Sequence, residues 1–223
     1  HHATQHIKDG RRIPVHVRSA LPFMWLGGLY LLVSRTDLIM LGTMKGAHDA
    51  GIYAVASRAA ELVSFFAAAA NVVLAPRIAR LYHSGEHTLL QRMLRSAAQR
   101  FLILTIPLAL LLIFAASPLL HYLYGAEYTE GAIVLRILAG AQFFVLALGS
   151  VNTILNMTGN ERLSTLGVGL AAILNIALNA VLIPDYGAKG AAIATGLSLV
   201  FAQGLLWYWV RHRLGLRPSG FGF

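Results

Sequence analysis

Residues 21–41, LPFMWLGGLYLLVSRTDLIML, are long and apolar enough to cross a bilayer, yet they carry Arg35 and Asp37. A bilayer core takes about 20 mostly apolar helical residues. A charge at that depth costs roughly 2.5–3.5 kcal/mol on insertion scales. Two of them on one helix require a partner or a water-filled cavity rather than lipid. Any fold this chain adopts must shelter that pair.

The rest of the chain is of the same kind. Of 223 residues, 57% are hydrophobic and 12% charged, and the mean hydropathy is +0.65. A soluble domain carries about 25% charged residues, so the composition reads as an all-α integral membrane protein. The net charge of +9 does not point to nucleic acid, because the basic residues sit between apolar runs, which is the pattern of membrane topology. There is no cysteine, hence no disulfide framework and no thiolate metal site. The chain opens His1-His2 rather than with Met and reads as a fragment of a longer protein.

Residues 1–19 are polar and basic, with Lys8, Arg11, Arg12 and Arg18, and Pro14 argues against one helix there. They read as a basic cytoplasmic linker. Six spans follow, at about 21–41, 53–76, 101–120, 132–155, 163–183 and 190–210, in a bundle over 20–213, then a cytoplasmic tail over 214–223. Residues 77–100 hold five arginines, and Leu89, Leu90, Met93, Leu94 and Ala97 recur at helical spacing. That spacing predicts an interfacial helix leading into the third span. Residues 43–51, 121–131, 156–162 and 185–189 read as turns or loops.

The basic residues orient the bundle. With a cytoplasmic N-terminus, 13 Lys and Arg fall on the cytoplasmic side and 2, Lys45 and Lys189, on the other. The positive-inside rule then places both termini in the cytoplasm. In that orientation Arg35, Arg58 and Arg136 all lie roughly 6–9 Å inside the outer boundary. Asp37 and Glu61 share that half, and Arg58 and Glu61 are three apart on one helix face, so they can pair. The charges read either as structural ion pairs and snorkelling arginines or as a hydrated cavity. Such a cavity would bind an anion, because guanidinium forks match phosphate oxygens.

Other polar residues read as packing. Asn175 and Asn179 share a face of the fifth span, and with Gln142, Asn152 and Gln203 they read as hydrogen-bond glue between helices. Gly190, Ala194 and Gly196 form a small-residue face. His48 and His121 are loop residues without a metal-ligand set around them. No phosphate-binding glycine loop, nucleophile elbow or zinc motif occurs. The chain therefore reads as a non-enzyme with neither metal nor cofactor.

Four stretches carry a resemblance: RTDLIMLG at 35–42, AGIYAVASR at 50–58, LYGAEYTEGAIVLRIL at 123–138, and NIALNAVLIPDYGAKGAAIATGLS at 175–198. In order and spacing they resemble the oligosaccharide (O-antigen type) flippases of the multidrug/oligosaccharidyl-lipid/polysaccharide exporter superfamily. The resemblance implies two six-helix bundles arranged as a V, of which this chain is the C-terminal one. The partner it implies is a missing N-terminal half, reached through 1–19. It implies translocation of a polyprenyl-pyrophosphate-linked oligosaccharide across the cytoplasmic membrane for lipopolysaccharide or other surface polysaccharide, alongside the synthesis machinery. Arg35 and Arg58 match the family's cationic positions, with Arg136 a further candidate and Asp37 and Glu61 as charge partners. The competing readings are a multidrug-type cation antiporter of the same superfamily, which would favour unpaired acidic residues, and a non-transporting membrane scaffold.

Overall fold

A computed structural model describes residues 35–218. The linker at 1–19, the first span up to residue 34 and the last five residues of the tail lie outside the described residues. Within them the chain is all-helical. In order come α1 (Thr36–Lys45), α2 (Ala47–His83), α3 (His87–Phe114) and α4 (Ala116–Tyr124), then a 3-10 segment (Ala126–Gly131), α5 (Ala132–Ala147), α6 (Val151–Met157) and α7 (Glu161–Leu214). Four helical stretches are long and apolar enough to cross a membrane: Ala47–His83, His87–Phe114, Ala126–Ala147 and Glu161–Leu214.

The breaks differ from the sequence reading in instructive ways. The stretch 77–100 is no separate helix. Its first part ends α2, and its second part runs without interruption into the third expected span as the single helix α3. One helix is amphipathic at its start, with Leu90, Leu94 and Ala98 buried, and apolar beyond. Pro107 lies inside it unbroken, and α3 stops at Ala115, just ahead of Pro118. The loop expected at 121–131 is instead the end of α4 and the 3-10 segment. The fourth expected span is cut at 148–150, where Gly149 has φ 84°.

α7 is two helical segments, 161–186 and 188–214, joined at Gly187 (φ 53°, ψ −132°). That pair of angles is open to glycine and strained for other residues. The turn expected at 185–189 is thus a single residue wide. Gly190 then passes so close to the first segment that a Cβ would stand 2.3 Å from the Leu182 carbonyl oxygen. The run PDYGAKG is the joint of a helical hairpin.

The core forms where α2 meets α5. Ala56, Ala59, Ala60, Val63 and Ala67 of α2 are buried at helical spacing, together with Val134, Leu135, Leu138 and Ala139 of α5. Small residues on one face let two helix backbones approach closely, which is how packing holds helices together in lipid. A second cluster closes the other end, with Ile78 and Leu81 of α2, Leu90 and Leu94 of α3, Ile154 and Leu155 of α6, and Val210 of α7.

Candidate functional site

α2 and α5 run side by side in the same direction. Near their starts, a Cβ on Gly131 would touch the Ile52 side chain at 3.0 Å. Near their ends, Ser64 and Asn71 line one niche with residues 145–153. This register puts Arg58 and Arg136 at nearly the same level. Tyr53 lies five residues, about 8 Å, nearer the helix starts.

Asp37 is held by hydroxyls. The buried Tyr53 hydroxyl donates to its Oδ2, the Thr195 hydroxyl donates to the same oxygen at 3.4 Å, and the Leu38 N–H donates to Oδ1 at 2.8 Å. The two hydroxyl oxygens lie 3.1 Å apart. The network continues into the first segment of α7. Asn175 donates to Thr195 at 3.2 Å, and the fully buried Asn179 donates to Asn175 at 3.0 Å. The Asn179 Oδ1 is buried and accepts nothing among the described residues. One polar chain thus ties α1, α2 and both segments of α7. The glue expected of Asn175 and Asn179 is present, and its far end is a carboxylate.

Arg58 and Glu61 pair on α2 at 3.0 Å, with side chains 60% and 47% exposed. They stand on the outside of the described helices, beside the exposed Leu62 and Phe65. Arg136 is exposed too, and its Nε donates to the Ile113 carbonyl at 3.0 Å. That carbonyl is at the C-terminal end of α3, where the helix dipole favours a cation. Among the described residues no ion pair joins Asp37 to Arg58 or Arg136. Arg35 is the first described residue, half-buried in the turn before α1.

A cleft of about 440 Å³ opens beside Arg136, lined also by Asp49, Ile52, Glu130, Tyr186 and Lys189. At its edge His48 stands between Glu127, 3.6 Å from Nδ1, and Glu130, 4.0 Å from Nε2. Among the described residues no group of three or more His, Asp or Glu is placed to hold a metal ion. Tyr53 and Thr195 are the site residues that reasoning from charge passed over. Both sit inside motifs that carried the resemblance, Tyr53 in AGIYAVASR and Thr195 in GAAIAT. A lone polar residue within an apolar motif was the available signal.

Comparison with known proteins places the chain. The lipid II flippase MurJ family matches residues 19–221. The chain is 29% identical over 191 residues to an uncharacterized membrane protein, MJ1068, of Methanocaldococcus jannaschii, covering 81% of this chain and 36% of that protein. It is 24% identical to the probable low-salt glycan biosynthesis flippase Agl15 of Haloferax volcanii, over 78% of this chain and 36% of that one. It is 23% identical to the capsular polysaccharide biosynthesis protein CapF of Staphylococcus aureus, over 80% and 45%. The chain therefore spans less than half the length of the curated relatives it matches. No solved structure matches it. The match runs over nearly the whole sequence and agrees with the four motifs: the chain belongs to the lipid II flippase MurJ family.

Proposed function

We propose that this chain is one six-helix bundle of a two-bundle transporter. That transporter moves a polyprenyl-pyrophosphate-linked oligosaccharide across the cytoplasmic membrane by alternating access. The observation that carries the reading is the family match over residues 19–221. The names of two relatives, a probable glycan biosynthesis flippase and a capsular polysaccharide biosynthesis protein, point the same way. The joint at Gly187 supports counting α7 as two spans, and 21–41 supplies the first. Both termini are then cytoplasmic.

Arg35, Arg58 and Arg136 are the proposed anion site, with Asp37 and Glu61 setting the local charge. The level shared by Arg58 and Arg136, and the exposure of Arg58, suit a wall that faces a second bundle across a hydrated cavity. A pyrophosphate accepts bidentate guanidinium bonds, whereas Lys offers only a point charge. Rocking about a shared site needs two bodies, so the partner is an N-terminal bundle joined through 1–19.

The test is complementation of flippase-deficient cells with the full-length protein. Arg35→Ala and Arg58→Ala should abolish surface polysaccharide while inserting normally, and the Lys variants should rescue in part. Residues 1–223 expressed alone should restore nothing. Normal export by both Ala variants overturns the anion site, and export by the lone chain overturns the half-transporter.

A further inference from the structure

After α7 the described residues 215–218 fold back on the bundle. Gly215, with φ 64°, turns the backbone out of α7. Leu216 is then buried, 3% exposed, in the cluster of Leu90, Leu94, Val151 and Val210. The Gln91 side chain of α3 grips the next residue at both ends. Arg217 N donates to Oε1 at 2.8 Å, and Nε2 donates to Arg217 O at 2.6 Å. Pro218 lies across Gly149, where a Cβ would stand 2.4 Å from the Pro218 carbonyl oxygen.

Gly149 is the joint of the break between α5 and α6. A helix break frees carbonyls; Gln203 of α7 donates to Val145 O at 3.0 Å and to Gly149 O at 2.6 Å, which also accepts from Val151 N at 2.9 Å. Beside the break is a niche of about 220 Å³, lined by Ser64, Asn71, Ser150, Asn152 and Gln203. Asn71 Oδ1 is buried there without a hydrogen-bond partner among the described residues. A buried acceptor without a donor carries a desolvation cost.

We propose that residues 215–218 are a latch on this break. Docked, the latch bears on Gly149 and holds 148–150 against α3 beside the niche. Undocked, it lets the break swing and widens the niche around Asn71 toward the polar end of the bundle. That end is marked by the exposed Arg77, Arg80, Arg92, Arg95 and Arg213, the side chains of a headgroup region. The grip is small enough to release without unfolding: two buried residues, Leu216 and Pro218, and one side-chain clamp at an exposed position. Its far end bears on the glycine that makes the break. The latch does not depend on what the protein transports.

These 223 residues hold no cysteine, and with any cysteine in the rest of the full-length protein replaced, an engineered thiol reports alone. In the full-length protein in membranes, Ser150→Cys is reacted with a small maleimide. Gln91→Met removes both clamp bonds and should raise the rate at least fivefold. Gln91→Glu can still accept from Arg217 N but has no donor for Arg217 O, and should fall between. Leu216→Ser undocks the tail from its apolar side and should match Gln91→Met. Gln99→Met, exposed on the same helix, should leave the rate unchanged. Ala191→Cys, buried in the other cluster, should stay unreactive throughout. Wild-type rates in both Gln91→Met and Leu216→Ser overturn the latch. Exposure of both thiols together also overturns it, because the tail is then only part of the global fold.

Discussion

Tyr53 and Asp37 come from different helices, and the Tyr53 hydroxyl donates to the carboxylate from a site 2% exposed. Removing that donor leaves a carboxylate oxygen with Thr195 alone. A hydrogen bond to a charged group contributes about 1.5–3 kcal/mol. Tyr53→Phe should therefore lower the unfolding free energy of the purified full-length protein by about 1.5–3 kcal/mol, read as a lower melting temperature, and Thr195→Val by less. Because both hydroxyls serve one oxygen, the double variant leaves it without a donor among the described residues and should lose more than the sum. Melting of Tyr53→Phe with the wild type would show that the bond carries no stability.

Arg58 and Glu61 predict the opposite profile. Their pair is exposed, and exposed pairs contribute about 0.2–1 kcal/mol. Arg58→Ala should leave thermal stability within about 1 kcal/mol of wild type while removing export. A large stability loss would make the residue structural and deprive the complementation result of its meaning.

What was legible in the sequence follows from what is local. Hydrophobic length and charge placement announced helices in a membrane, and a spacing of three announced the Arg58–Glu61 pair. The breaks at Ala115 and Gly149 were not legible. A span and a span with a one-residue joint have the same hydropathy, and only the tertiary partners tell them apart. Gln203 binding the Val145 and Gly149 carbonyls is such a partner, and so is Pro218 lying on Gly149. Asp37 read as a charge seeking a charge because hydropathy registers carboxylates and guanidiniums. Its partners are hydroxyls, Tyr53 sixteen residues away and Thr195 far beyond, and neither stands out in an apolar helix.

Orientation is open to direct measurement. Gly46, Ala126 and Ala188 lie at one end of the parallel helices α2 and α5, near the cleft of Asp49 and Arg136, and Ser84 and Asn160 at the other. Single cysteines at the first three should react with an impermeant maleimide added to intact cells, and cysteines at the other two should not. A reversed site would mean that the basic residues do not set the topology.

The joint of α7 separates two kinds of constraint at one residue. Gly187 has φ 53° and ψ −132°, a conformation that strains other residues by about 1–3 kcal/mol. A Cβ there would also stand 2.5 Å from Asp49 Oδ2, a side chain in the first turn of α2. The strain belongs to the backbone and persists whatever stands opposite. The contact belongs to Asp49 and disappears with it. Gly187→Ala should therefore destabilise the protein in both backgrounds, and by about 0.5–3 kcal/mol less when Asp49 is already Ala. Gly190→Ala should show no such relief, because its Cβ would meet the Leu182 main-chain carbonyl at 2.3 Å, which no side-chain substitution removes. Thermal unfolding of the four proteins of the cycle gives the coupling directly. An equal cost of Gly187→Ala with and without Asp49 would leave backbone strain as the whole reason for glycine and would take Asp49 out of the joint.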